Sequence, residues 1–191
     1  MKVVVAFLML SLNAFAQVPG DMDYVFTSLE KASENPEIVY QIDLTKSKLE
    51  FYPKELSQFV HLRSLNLSKN KISLLPAEIG ELTNLEELIL SRNNIVILPP
   101  QIGKLKKLKV LNLSRNDIKV LPEEVGEMLS LESIDLWSNN LEGVHENISK
   151  LLNLKEIDLQ GMDISDELKQ KINAWLPNTT VQFSNGCGCG F

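Results

Sequence analysis

The most reactive side chains lie at the C-terminus, where Cys187 and Cys189 flank a glycine in the segment SNGCGCGF. They are the only cysteines of the 191 residues. Such a pair can close a small, strained disulfide ring, exchange thiols, cross-link two chains or offer two soft ligands to a metal. Two thiolates fall short of a four-ligand zinc site, and no paired histidines or spaced carboxylates complete the set. Neither cysteine stands fourth from the end, so there is no prenylation box. His61 falls in a turn and His145 replaces a recurrent proline, and neither has an evident acid–base partner. No nucleophile elbow, phosphate loop or metal-spaced cluster occurs. The sequence therefore predicts no enzyme, no metal and no cofactor. Thiol–disulfide exchange or cross-linking through Cys187 and Cys189 is the alternative.

A side chain that binds without reacting is the indole of Trp137, and a repeat places it. Val39, Leu62, Leu85, Leu108, Leu131 and Leu154 follow one another at 23 residues. Each opens a segment of the form L-x-x-L-x-L-x-x-N-x-L, clearest in LRSLNLSKNKI, LEELILSRNNI, LKVLNLSRNDI and LESIDLWSNNL. Apolar residues two apart point to one side of a short strand. One such strand cannot bury its apolar side alone, so successive copies must stack. Asn70, Asn93, Asn116 and Asn139 recur at the ninth position, where an amide can bond backbone groups left open at the turn. The outer copies carry Ser47 and Met162 there, as end repeats commonly differ. Pro53, Pro76, Pro99 and Pro122 end strand pairing. Gly80, Gly103 and Gly126 follow four residues later and are expected to permit the turn back.

On these motifs the chain resembles the leucine-rich-repeat family over about residues 39 to 164. The 23-residue LPxxIG form is similar to the Ras-group or scribble-like subclass, which is common among secreted bacterial members. The resemblance implies an α/β fold, a curved solenoid with a parallel β-sheet on its concave face. Loop, 3₁₀ and short helical turns would form the convex face, with helical caps at the ends. It also implies protein–protein recognition through the concave face.

Sheet alternation selects the outward residues of that face at the third, fifth, seventh and eighth positions. Trp137 stands where the other copies carry small polar residues or Gln160, so packing does not demand an indole. Arg115, from the adjacent copy, can lie against its ring. Ile89 and Val110 are apolar at outward positions, and Asp135 and Asp158 add negative charge. Arg92 and Arg115 continue a column begun by Lys46 and Lys69, suited to steering an acidic ligand or simply to solvation. Trp137, Arg115, Arg92, Ile89, Val110, Asp135 and Asp158 are the expected partner contacts. The expected partner is another protein or peptide, or a surface glycan. Nucleic acid is disfavoured by a net charge of -6. Glycosylation sequons at Asn66, Asn112, Asn147 and Asn178 carry little weight, since two are written by the repeat itself.

The ends complete the organisation. Residues 1–16 pair one lysine with an apolar run from Val3 to Leu12 and a small-x-small site, Ala14-Phe15-Ala16. This is the pattern of a secretory signal cut after Ala16, and it predicts a secreted, periplasmic or cell-surface protein. The run is too short to span a bilayer, which takes about 20 residues. Residues 17–38 are expected to cap the N-terminal end, with a helix over 21–35 presenting Val25, Phe26, Leu29 and Ala32. Residues 165–184 would cap the other end as a helix begun by Ser165, then a strand over 179–183. Trp175 lies on the apolar stripe of that helix and reads as packing. Residues 185–191 form a tail expected to lack order. Partner identity and oligomeric state stay open at this stage.

Overall fold

The structure, a computed structural model, describes residues 21–184. The signal-like segment 1–16 and the tail carrying Cys187 and Cys189 lie outside the described residues. Eight short parallel strands form one sheet: β1 (Val25–Phe26), β2 (Gln41–Asp43), β3 (Ser64–Asn66), β4 (Glu87–Ile89), β5 (Val110–Asn112), β7 (Ser133–Asp135), β9 (Glu156–Leu159) and β10 (Thr180–Phe183), side by side in that order. Register advances by 23 residues at each step from β2 to β9, so Ile42, Leu65, Leu88, Leu111, Ile134 and Ile157 stand in one row. All six are buried. Two-residue strands β6 (Val120–Leu121) and β8 (Gly143–Val144) pair in parallel beyond the turn. The return arcs are 3₁₀ turns, such as Ala77–Glu81 and Pro100–Lys104, each led in by a proline or, in the fifth copy, by His145.

The recurrent asparagines explain how the coil turns without orphaning its backbone. Asn93 Nδ2 donates to the carbonyls of Leu67 and Leu90, both at 3.0 Å, while its Oδ1 accepts from Ile72 N–H at 3.0 Å. Asn70, Asn116 and Asn139 repeat the pattern one coil apart. Every amide thus ties its own coil to the preceding one at groups that would otherwise be buried without partners. The tight turn also forces the residue just before each asparagine position into the left-handed region. Lys46, Lys69, Arg92, Arg115 and Ser138 have φ between 55° and 59°, and Gly161 has φ 71°. Conformations of this kind disfavour residues with a Cβ.

Gly80, Gly103 and Gly126 are conserved in spacing for a reason other than the turn geometry expected of them. None has positive φ. A Cβ on Gly103 would lie 2.5 Å from the carbonyl oxygen of Glu124, and one on Gly126 2.2 Å from that of Asn147. Glycine lets successive 3₁₀ turns pack backbone to backbone.

The ends also differ from a simple helical reading. Among the described residues of the N-terminal stretch only Leu29–Ser33 forms an α-helix, α1, followed by a 3₁₀ turn at Pro36–Ile38. Val25 and Phe26 instead extend the sheet against Gln41 and Ile42, which buries Phe26 on the first coil. A strand edge next to an open stack competes well with a helix whose apolar face is only four residues long. At the other end Ser165 Oγ accepts from Leu168 N–H at 3.3 Å and starts α2 (Asp166–Trp175). Ile172 and Leu176 are buried, and Leu168 and Trp175 pack on the core beside them.

Two expectations follow. Gly103→Ala gains about 0.4–1 kcal/mol from the stiffer unfolded chain but forces a backbone shift of about 1–3 kcal/mol, so denaturation should report a net loss of about 1–2 kcal/mol. Gly143→Ala, with nothing within 4 Å of the new Cβ, should cost nothing by comparison. The second concerns Tyr52, which is buried and whose hydroxyl has no hydrogen-bond partner among the described residues. Burial, then the charges of Glu81 and Glu78, push its ionisation well above the ordinary tyrosine value. The folded state therefore holds this proton more tightly than the unfolded chain. Stability is intact below the ordinary tyrosine pKa and falls as pH rises beyond it. Tyr52→Phe should abolish that part of the alkaline loss in a denaturation–pH series and leave neutral-pH stability equal or higher.

Candidate functional site

The outward wall of the sheet is a grid whose rows are coils and whose columns are repeat positions. In the fifth column, Asp43, Asn66, Asn112, Asp135 and Asp158 each use Oδ1 to accept the N–H two residues on, at 2.8–3.0 Å. Asp135 and Asp158 are thus turn residues first. One oxygen of each is committed locally, and a ligand would meet the other. They are register partners, and with Ser133, Glu156 and Gln182 they line a recess of about 190 Å³. Ser133 Oγ donates to Glu156 at 2.8 Å. Among the described residues no group of three His, Cys, Asp or Glu is arranged to hold a metal ion. Ile89 is the fifth-column residue without an acceptor; it is half-buried, its register partner is Asn112, and exposed Val110 lies diagonally from it on the next strand.

Trp137 occupies the seventh column, half-buried, and is held from both neighbouring coils. The Arg115 guanidinium carbon lies 4.3 Å from the centre of its ring. Arg115 N–H also donates to the Trp137 carbonyl at 2.7 Å, which fixes the two backbones. On the far side the indole Nε1 lies only 3.2 Å from where a Cβ on Gly161 would stand. Gly161 is the one glycine of the eighth column, and it leaves the space an indole needs. The other seventh-column residues of the inner coils, Ser68, Ser91 and Ser114, fill no such slot.

Lys46, Lys69, Arg92 and Arg115 form the exposed eighth column. Among the described residues none of the four makes a salt bridge, whereas Lys71, Lys106, Lys109, Lys119 and Lys155 all do. The left-handed turn lifts these cations clear of the wall, and parallel strands about 4.8 Å apart set their pitch.

The second column escaped sequence reasoning. It begins at Tyr40, after which Arg63, Glu86, Lys109, Glu132 and Lys155 alternate in sign from rung to rung. Arg63 covers the Tyr40 ring at 5.6 Å, Lys109 meets Glu86 at 2.6 Å, and Lys155 pairs with Glu132. The hydrogen bond from Lys109 holds the Glu86 carboxyl below the usual carboxylate range, and Glu86 in turn raises Lys109. Lys155 lowers Glu132 in the same way. The signal was available as charge alternation at 23-residue spacing. At the start of this column Tyr40, His61, Arg63 and Glu86 border a recess of about 170 Å³. His61 lies 3.5 Å from Glu37, and His145 Nδ1 accepts from Asn147 N–H at 3.2 Å as a cap of its 3₁₀ turn.

Residues 39–180 match the family described as a leucine-rich repeat region. No curated protein matches the chain by sequence. Among solved structures, a leucine-rich-repeat protein of Leptospira interrogans is 29% identical with a TM-score of 0.64, covering 80% of this chain and 45% of its own. An internalin of Listeria monocytogenes is 26% identical with a TM-score of 0.60, covering 76% of this chain and 40% of its own. The ectodomain of an Arabidopsis thaliana membrane receptor kinase, solved in complex with Casparian strip integrity factor 2, is 26% identical with a TM-score of 0.67, covering 84% of this chain and 20% of its own. The chain thus spans less than half the length of each of these relatives. Its repeat, its parallel wall and the family match over most of its length agree, and the chain belongs to the leucine-rich-repeat family.

Proposed function

We propose that this chain is a non-catalytic recognition module that holds a protein or peptide against the concave wall of its sheet, with Trp137 and Arg115 at the centre of the contact. The observation that carries this reading is the slot itself. A large ring is clamped between Arg115 and the bare backbone of Gly161, at a column position filled elsewhere by serine, threonine or, in the last coil, Gln160. Preordered Trp and Arg side chains are the types that dominate binding energy at interfaces, because little side-chain entropy is left to lose. Val110, one rung away, and Ile89, two rungs away, add apolar surface, and the acidic recess at Asp135 and Asp158 closes the other side. The Arabidopsis leucine-rich-repeat ectodomain, solved in complex with Casparian strip integrity factor 2, is a similar structure with a bound partner.

Residues 1–16 support export, to the extracellular medium, the periplasm or the cell surface. Among the described residues no helix is long and apolar enough to cross a membrane. The 23-residue LPxxIG form and the bacterial internalin and Leptospira relatives agree with a member of the secreted bacterial type.

Affinity capture from secreted and cell-surface fractions, followed by titration of the captured partner, tests the wall. Trp137→Ala should weaken binding by about 2 kcal/mol, roughly 30-fold, with an unchanged circular dichroism spectrum. Undiminished affinity in a folded variant would remove the indole from the site. N-terminal sequencing of exported protein should begin at Gln17, and an intact Met1 would contradict the export reading.

A further inference from the structure

Opposite in character to the polar wall is the flank along which each coil leaves the sheet for its 3₁₀ turn. There the thirteenth repeat position carries Phe51, Leu74, Ile97 and Val120, exposed by 78%, 67%, 69% and 53%. They stand 23 residues apart, one per coil, immediately before the buried residue that precedes the proline or prolines. Four large apolar side chains at a pitch of about 5 Å make a strip about 15 Å long. Isolated exposed apolar residues are ordinary, but a continuous row marks a surface that another surface covers.

The geometry points to a second copy of this chain as the occupant, packed flank to flank as an antiparallel two-fold dimer with its axis between Leu74 and Ile97. The strip tapers from Phe51 at one end to Val120 at the other, where Gly143 of the next coil leaves open space. Two-fold packing sets the largest side chain of one copy against the smallest of the other, and Leu74 against Ile97. The charges beside the strip obey the same exchange. Lys48 is brought to Asp117 of the other copy, Glu50 to Lys119, and Lys54 to Glu123, all opposite in sign and all exposed. Glu55 with Glu124, one residue further round the turn, is the like-signed pair. Other registers lose this match. Moving the axis onto Ile97 sets Glu50 against Glu142, and moving it onto Leu74 leaves the four charges of the first coil facing Asn94, Val96, Pro100 and Gln101 of the other copy. A parallel two-fold, with its axis along the strip, sets Phe51, Leu74, Ile97 and Val120 each against its own copy and so loses the match in size. Glu50 and Lys119 do have partners within the chain, Lys71 at 3.9 Å and Glu142 at 3.2 Å, but exposed pairs of this kind are worth little and exchange readily. A C2 contact of this sort is isologous, so one patch on one chain suffices. A strip of this size suits a dimer that dissociates at micromolar concentration rather than an obligate one.

Sedimentation velocity of the full chain, in reducing buffer so that the tail thiols cannot cross-link, tests the contact. The wild type should pass from monomer to dimer across the micromolar range. Leu74→Glu with Ile97→Glu, both at exposed positions, should remain monomeric with an unchanged melting curve. Glu50→Lys alone and Lys119→Glu alone each place like charges together twice, and each should weaken the dimer at least about tenfold. Mixing these two variants restores both opposite-sign contacts in a heterodimer, so the equimolar mixture should dimerise again. A wild type that stays monomeric at high micromolar concentration overturns the dimer. A dimer that survives Leu74→Glu with Ile97→Glu places the contact elsewhere, and a mixture no stronger than its components overturns the register.

Discussion

A stack of coils is possible only if the polypeptide can turn sharply out of a buried sheet without stranding its peptide groups, and the ninth-position asparagine amide makes that turn possible. Each of Asn70, Asn93, Asn116 and Asn139 satisfies two carbonyls and one N–H, and each draws those groups from two adjacent coils. A buried peptide group left alone costs about 1–3 kcal/mol, so losing one such amide would be felt in two coils at once. The amides also lock the pitch. With register fixed at 23 residues, every repeat position becomes a column, and the chemistry of the surface is written column by column.

Fixed columns separate the roles of side chains that look alike in sequence. The buried apolar columns are aliphatic but for Tyr52 and Phe59 in the first coil. Apart from Ile89, the fifth column is acidic or amide because it caps the turn, which gives Asp135 and Asp158 local work whatever else they touch. The second column alternates in sign and is neutralised from rung to rung. The eighth column is cationic in its first four coils and makes no salt bridge there among the described residues, at a left-handed turn. Only departures from a column's own rule remain unexplained by packing. Trp137 in a row of small polar residues, and a glycine beside it at position 161, are such departures, and they coincide in space.

What could be read from the sequence follows the same division. Periodicity of two within the strand and 23 between strands fixed which leucines are buried, which residues share the wall, and that Arg115 neighbours Trp137. Four features were not fully legible, each for a physical reason. Val25 and Phe26 have helical spacing with Leu29 and Ala32, but an open sheet edge was available to them, and long-range pairing overrode local pattern. The glycines at 80, 103 and 126 looked like turn residues because a close backbone approach between coils leaves no mark in one coil's sequence. The second-column ladder and the thirteenth-position strip were both visible as residue types at 23-residue spacing. Their exposure and orientation, which give them meaning, come only from the stacked coils.

The strip and the wall lie on different sides of the coil, so covering one leaves the other open. A one-dimensional repeat makes a self-complementary flank easy to build. A gradient in side-chain size along a column, with charges of opposite sign at its two ends, becomes complementary to itself as soon as it is turned end for end. No coil needs to recognise a different kind of coil. Two copies packed in this way would present two copies of the Trp137 slot on one rigid body. A partner displayed many times on a surface would then meet the second slot at high effective concentration, and its retention would exceed what a single shallow wall can supply.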